Sequence, residues 1–253
     1  MILRALSSIL LATAALTGAP ALTQPAAPQG IDPQARSAIE RMRAYLRTLG
    51  SFEVRAESTI EEAMEGDVNV DLASRVRYEY RAPDKLLAEW RSDRQSRRLY
   101  YDGKTLTVLA PPSGYYASIP ASGSVGSILT RAAEDYGIVF PLPDLFLWAV
   151  ADAPALDVTS GSYLGYARVA GADTDHYIFR QPQVDWQIWI ERGERPLPRK
   201  VVITDRVDPQ RPTFSALLQW NPNVPLTNER FVFTPNEATQ RIEIVELELE
   251  GAQ

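Results

Sequence analysis

His176 is the only imidazole in a chain of 253 residues that contains no cysteine. Thiolate nucleophiles, disulfides and cysteine-ligated zinc or iron–sulfur centres are therefore excluded. So are sites that need two or three histidines, and a Ser-His-Asp triad could be built only on His176. The imidazole stands in Asp173-x-Asp175-His176, where two carboxylates and a ring nitrogen are legitimate metal ligands. The same residues also describe a hairpin turn running into a strand, and no metal is assigned to them. Glu61-Glu62 with Glu65-x-Asp67 gathers carboxylates without the glycine-spaced calcium loop, and reads as a hairpin tip. Ser122-Gly123-Ser124-Val125-Gly126-Ser127 contains Gly-Ser-Val-Gly but lacks the spacing and the preceding parallel strand of a nucleophile elbow; its serines suit a helix start. Gly161–Gly165 carries no phosphate-loop lysine. Asp144 could be a buried acid of raised pKa near Trp148, or the cap of a short helical turn behind Pro143. These residues imply no cofactor and no enzyme.

The elements that would carry such residues begin behind an export signal. Arg4, an apolar run from Ala5 to Leu16 and Ala19-Pro20-Ala21 have the layout of a cleavable secretory signal peptide over residues 1–21. The run is too short to span a bilayer. No cysteine stands at the cut to take a lipid. A soluble periplasmic chain is expected, with transient membrane contact at most. Removing residues 1–21 takes away one arginine and no acid, so the net charge moves from −6 to −7. That balance argues against nucleic acid as a partner.

Residues 22–31 are rich in Pro, Ala and Gln and read as a flexible leader, before a single domain over 32–253. Asp32-Pro33 marks a helix start, Ile39, Met42, Leu46 and Leu49 recur at helical spacing, and Gly50 is the expected stop. From Ser51 the period falls to two. Six strands follow in an antiparallel meander that ends at Tyr115–Ile119. An insert over 122–150 breaks the pattern: a helix through Val125, Ile128, Leu129, Ala132 and Tyr136 ends at Gly137, and the all-apolar Leu145–Val150 follows Phe140-Pro141-Leu142-Pro143. Strands resume near Leu156 and run through Tyr163–Ala170, Thr174–Arg180, Val184–Glu191, Leu197–Asp205 and Phe214–Trp220. A short Arg230–Phe233 and a final Arg241–Glu250 are expected as strands too. The fold class is mainly β: a large curved antiparallel sheet, a half-open barrel of about a dozen strands covered by helices.

One parity of these strands is apolar: Val76, Tyr78, Tyr80, Leu86, Ala88, Trp90, Trp186, Ile188, Ile190, Phe214, Leu218 and Trp220. The other is rich in Arg and Glu. The apolar parity is either a filled core or a hollow that takes a ligand. Aromatics with polar tips suit a partly wet site, and Phe140, Leu145, Phe146 and Trp148 suit a lid.

The order of helix, meander, two-helix insert and further strands resembles the periplasmic lipoprotein carriers LolA and LolB. Tyr78–Leu86, Tyr101-Asp102-Gly103-Lys104, Asp175–Arg180, Val184–Gly193 and Pro196–Lys200 resemble a family of predicted periplasmic proteins of that shape. The resemblance implies acyl chains held beneath a helical lid. A carrier or sensor for a hydrophobic ligand is thus expected: an acyl chain, a lipid or a lipoprotein. Val76, Tyr78, Tyr80, Leu86, Trp90, Trp186, Ile188, Phe214, Leu218 and Trp220 would line the hollow, with Phe140, Leu145, Phe146 and Trp148 as lid. The alternative is an envelope-stress or protein-interaction module without a lipid. A polysaccharide-cleaving acid pair would need two acids on the apolar parity, which offers none.

Overall fold

A computed structural model describes residues 30–64, 68–149 and 157–246. The expected signal peptide, nearly all of the expected leader, Glu65, Asp67, the end of the insert and the tail of the last expected strand lie outside the described residues.

The first helix follows from its cap. Asp32 accepts a hydrogen bond from the Gln34 amide at 2.8 Å, and Pro33 opens α1 (Pro33–Thr48), which buries Ala35, Ala38, Ile39, Met42 and Leu46. Leu49, not Gly50, ends it, by turning extended. Six strands follow a two-residue β1 (Gly30–Ile31): β2 (Ser51–Met64), β3 (Val68–Arg81), β4 (Lys85–Ser92), β5 (Ser96–Tyr101), β6 (Thr105–Ala110) and β7 (Tyr115–Pro120). Ser124 accepts from the Ser127 amide and starts α2 (Val125–Tyr136), and Gly137 ends it at φ 63°, a left-handed position where a Cβ is costly. Thus the Gly-Ser-Val-Gly stretch is a helix start. A Cβ on Gly126 would lie 2.8 Å from Leu147, so this glycine lets α3 (Asp144–Trp148) approach α2.

After the insert come β8 (Ser160–Val169), β9 (Ala172–Arg180), β10 (Val184–Glu191), β11 (Pro198–Asp205) and β12 (Thr213–Pro222). The sixth strand expected here does not form. Arg230 lies in a 3-10 turn (Asn228–Phe231), and only Gln240–Arg241 of the last stretch pairs, as β13.

All thirteen strands form one curved, unclosed sheet in the order β1-β8-β9-β10-β11-β12-β2-β3-β4-β5-β6-β7-β13. Pairing is antiparallel except at the two rims. There Gly30–Ile31, placed by the sequence at the end of the leader, pairs parallel with β8, and β13 pairs parallel with β7. The two meanders meet at β2, which pairs with β12 over Phe52–Ile60. The chain crosses the sheet three times. Helix α1 carries it from the β1 rim to β2, and the α2–α3 insert carries it from the β7 rim back to β8. Both pack on one face, here called inner, in a single core that includes Phe52, Tyr78, Leu86, Leu218 and Ile188.

The third crossing is on the outer face. Residues after β12 form a strap over the back of β3–β7. Ser51 donates to the Val224 carbonyl at 2.6 Å and Arg81 to Leu226 at 2.7 Å. Arg230 forks onto Glu79 at 2.6 and 2.9 Å, and Phe233 lies on Tyr100 and Tyr116. Under the strap Glu79, Leu87 and Thr107, all of outward parity, are buried, as is Phe231 itself.

Candidate ligand cleft beneath the helical insert

Alternation along each strand delivers the expected set to the inner face. Val76, Tyr78, Tyr80, Leu86, Trp186, Ile188 and Leu218 are buried there, and Trp90, Phe214 and Trp220 are half-buried at its margins. From the insert, Phe140, Leu145, Phe146 and Trp148 are buried against them. Phe146 stands at the centre, edge-on to Tyr78 at 5.0 Å, tilted against Tyr80 at 5.6 Å and stacked over Phe52 at 6.1 Å. Phe140 reaches Trp90 at 6.1 Å. The Tyr78 hydroxyl donates to the Pro141 carbonyl, tying insert to sheet, and full burial raises its pKa well above the ordinary phenol value. Trp220 donates its indole N–H to the Pro198 carbonyl at 2.7 Å. Most of the inner face is therefore packed.

Under α3 a space remains. A cleft of about 270 Å³ lies between the insert and β10–β11, lined by Leu142, Leu145, Trp148, Val184, Trp186, Val201 and Ile203, with Asp144 and Gln181 as its polar residues. Its size is just below the lower end of small-molecule sites, about 300 Å³. Trp148 and Trp186 stack at 6.2 Å, and Phe179 backs Trp186 at 4.4 Å. Leu142 holds φ 58° between two prolines. A large side chain there is strained by roughly 1–3 kcal/mol, and its burial against the cleft wall keeps it in place.

Of the expected lining residues only Trp186, Leu145 and Trp148 reach this cleft. Val184, Val201 and Ile203 were missed, although each follows its own strand's alternation. Leu142 carries no sequence signal beyond its flanking prolines. Asp144 does not cap α3: it is the first helical residue, after Pro143, and no side chain caps this helix. It is solvent-exposed at the mouth of the cleft, yet desolvation by the apolar walls raises its pKa, opposed in part by its own backbone N–H.

Ile203 leads out of the cleft. Across the strands it faces Phe214, which faces Ile60, which faces Leu72, all of inner parity. Beyond them the ends of β2 and β3 project as a two-stranded ribbon. Its inner-parity residues are uncovered: Ile60 is 48% exposed, Met64 43%, Val68 53% and Val70 38%.

The other candidates do not converge on chemistry. Asp173 accepts from Tyr166 at 2.7 Å and Asp175 from Tyr163 at 3.1 Å. His176, of opposite parity to Asp175, stacks on Trp189 at 3.9 Å and meets the Gln187 amide oxygen at 3.0 Å; burial lowers its pKa, and the Gln187 hydrogen bond opposes this. Glu61 accepts from the Thr213 amide and Glu62 pairs with Arg94, each at close range.

A family model for predicted periplasmic proteins, DUF2092, matches residues 35–245. The chain belongs to this family. The DUF2092 description gives a periplasmic protein, the localisation expected from the sequence. No curated protein matches it. Among solved structures it is similar to the lipoprotein LppX of Mycobacterium tuberculosis, at 14% identity over 78% of this chain and 98% of that one, TM-score 0.47. It is similar to a LolA superfamily protein of Nitrosomonas europaea, at 12% identity over 79% and 97%, TM-score 0.36. It is also similar to a chain of the Pseudomonas aeruginosa MucA/MucB complex, at 12% identity over 83% and 64%, TM-score 0.41.

Proposed function

We propose that this DUF2092 protein holds a hydrophobic ligand, an acyl chain or lipid, with its apolar part in the cleft under α3. The observation that carries the reading is the apolar inner-face row that runs from Ile203 in the cleft wall through half-buried Phe214 to exposed Ile60 and half-buried Leu72. Each methylene taken from water contributes about 0.8 kcal/mol, while association costs about 4–15 kcal/mol. A short segment in the cleft alone barely offsets that cost. A chain of about a dozen carbons that runs from the cleft along the row gains about 10 kcal/mol, which after a low-end cost of about 4 kcal/mol leaves a Kd on the order of tens of micromolar.

Solvent extraction of the purified protein followed by lipid mass spectrometry, together with an acyl fluorophore titration read by tryptophan quenching, tests the reading. Trp148→Glu should abolish probe uptake, whereas Trp189→Glu, on the outer face beside His176 and Lys200, should leave it intact. A protein that yields no lipid and never responds to the probe refutes the proposal, and equal effects of the two substitutions refute the cleft.

The exposed apolar ribbon favours a second reading, a protein-interaction module of the envelope. A stoichiometric protein partner retained by Trp148→Glu but lost on Val68→Asp would support it over the carrier.

A further inference from the structure

The outer face has its own groove, independent of the cleft and of the reading given to it. It crosses β12, β2, β3, β4 and β5 between two rows of outward side chains and has a volume of about 480 Å³, within the range of small-molecule sites, roughly 300–1,000 Å³. One wall is Leu217, Glu57, Arg75, Arg91 and Ser96, and the other is Gln219, Arg55, Arg77, Glu89 and Arg98, each in cross-strand register.

The two walls differ in charge satisfaction. In the second, Arg77 bonds Glu53 at 2.7 Å and Glu89 at 3.3 Å and also meets Glu79, Arg98 bonds Glu89 at 3.0 Å, and Arg55 bonds Glu53 at 2.8 Å. Burial alone would lower the pKa of Arg77, but the hydrogen bonds and charges of its acid partners outweigh that and raise it. In the first wall, Arg75 and Arg91 sit directly opposite each other on β3 and β4, an arrangement that like charges disfavour. Arg75 has only Glu57, at 3.5 Å with both side chains largely in solvent, a contact of little worth. Arg91 is exposed and has no ion pair among the described residues.

Five outward arginines, Arg55, Arg75, Arg77, Arg91 and Arg98, line the groove against Glu57 and Glu89. With Glu53 counted in, and Glu79 set against Arg230, two positive charges are left over, in a chain whose net charge is −6. A carboxylate would neutralise one of them. A phosphate group carries about −1.5 to −2 charge and offers several oxygens to the guanidinium fork. We propose that this outer groove is a phosphate-binding site in which Arg75 and Arg91 grip the phosphate. The phosphate could belong to a soluble phosphate ester or to the headgroup of an anionic lipid.

The test uses the purified signal-processed protein in low-salt, phosphate-free buffer. Calorimetric titration with inorganic phosphate and glycerol 3-phosphate forms one arm. Flotation with phosphatidylglycerol against phosphatidylcholine vesicles forms the other. Saturable binding of the small phosphates assigns the soluble class, and flotation on phosphatidylglycerol alone assigns the headgroup. In either arm the double variant Arg75→Gln, Arg91→Gln should weaken binding by at least roughly tenfold, since hydrogen bonds to charged groups are the strong ones. Arg131→Gln, on α2 at the opposite face of the sheet, should bind as the unaltered protein does. The double variant should melt at an equal or higher temperature, because a like-charge pair is removed, so lost binding is not lost folding. Absence of binding in both arms, or unchanged binding by the double variant, overturns the proposal.

Discussion

Replacing Phe146 with alanine separates a plugged inner face from one under a loose lid. The ring is 1% exposed and touches three aromatic rings on β2 and β3. Nothing else from α3 occupies that position, and α3 is only five residues long, too short to be stable without its contacts. A buried Phe→Ala change costs about 3–5 kcal/mol when the site cannot collapse. Here α1 and the sheet fix the walls, so the upper part of that range applies. At about 2–4 °C per kcal/mol for a domain of this size, the melting temperature should fall by roughly 10 °C or more. Urea unfolding, followed by tryptophan fluorescence and by circular dichroism, measures the loss; the midpoint should drop with the slope unchanged. Phe146 follows Leu145 of the cleft wall on the same short helix, so loosening α3 should raise uptake of an acyl probe. A loss under about 1 kcal/mol with no gain in probe uptake would refute the argument, because α3 would then rest on the sheet without being anchored by it.

Two further substitutions test the cleft mouth and the strap. The pKa of Asp144 is raised in the folded protein, so the native state holds that proton more tightly than the unfolded chain does. The resulting stability is full below the ordinary aspartate range, about pH 4, and is lost as pH rises through the folded value. Asp144→Asn should therefore melt above the unaltered protein at pH 7 and level with it near pH 3.5; a gain independent of pH would contradict this. Glu79→Ala strands Arg230 within the strap and takes one of three acid partners from Arg77 beneath it. Both guanidinium groups are partly exposed and can rehydrate, so the expected cost is about 2 kcal/mol, below that of a fully buried pair. Limited proteolysis should cut the strap faster while probe binding stays unchanged; an unaltered cleavage rate would show that the strap is held by Phe231 and Phe233 alone.

Period and punctuation made much of the fold legible. The Asp32-Pro33 start, the six-strand meander and the Ser124–Gly137 helix are local signals, and the structure keeps each of them. The apolar parity also lies where alternation puts it. Outward positions that the strap covers were less legible: Glu79, Leu87 and Thr107 read as solvent-facing because their cover comes from the far end of the chain. The strap itself misled, since Arg230–Phe233 alternates like a strand but is wound into a 3-10 turn that brings Arg230 onto Glu79. The cleft was legible only in part. Trp186 and Trp148 stand out by type, but Val201 and Ile203 become walls only because the insert descends over β11, which no short-range pattern encodes. The charge contrast between the outer rows was hidden as well, because it depends on which arginine faces which acid across the register.

The seam between β2 and β12 also sets an order of events for the chain as it is made and exported. Glu61 takes its hydrogen bond from an amide 152 residues further on. Until β12 arrives, β2 is an open rim of the first meander, with Phe52, Val54 and Ala56 lacking a neighbouring strand on one side. Such long-range pairing is slow, because the intervening chain must be ordered first, and an open apolar rim invites pairing with other chains. Residues after β11, made later than all of the first meander, supply both the closing strand and the strap that follows it. Truncation between β11 and β12 would therefore leave β2 an open, aggregation-prone rim rather than a smaller version of the protein.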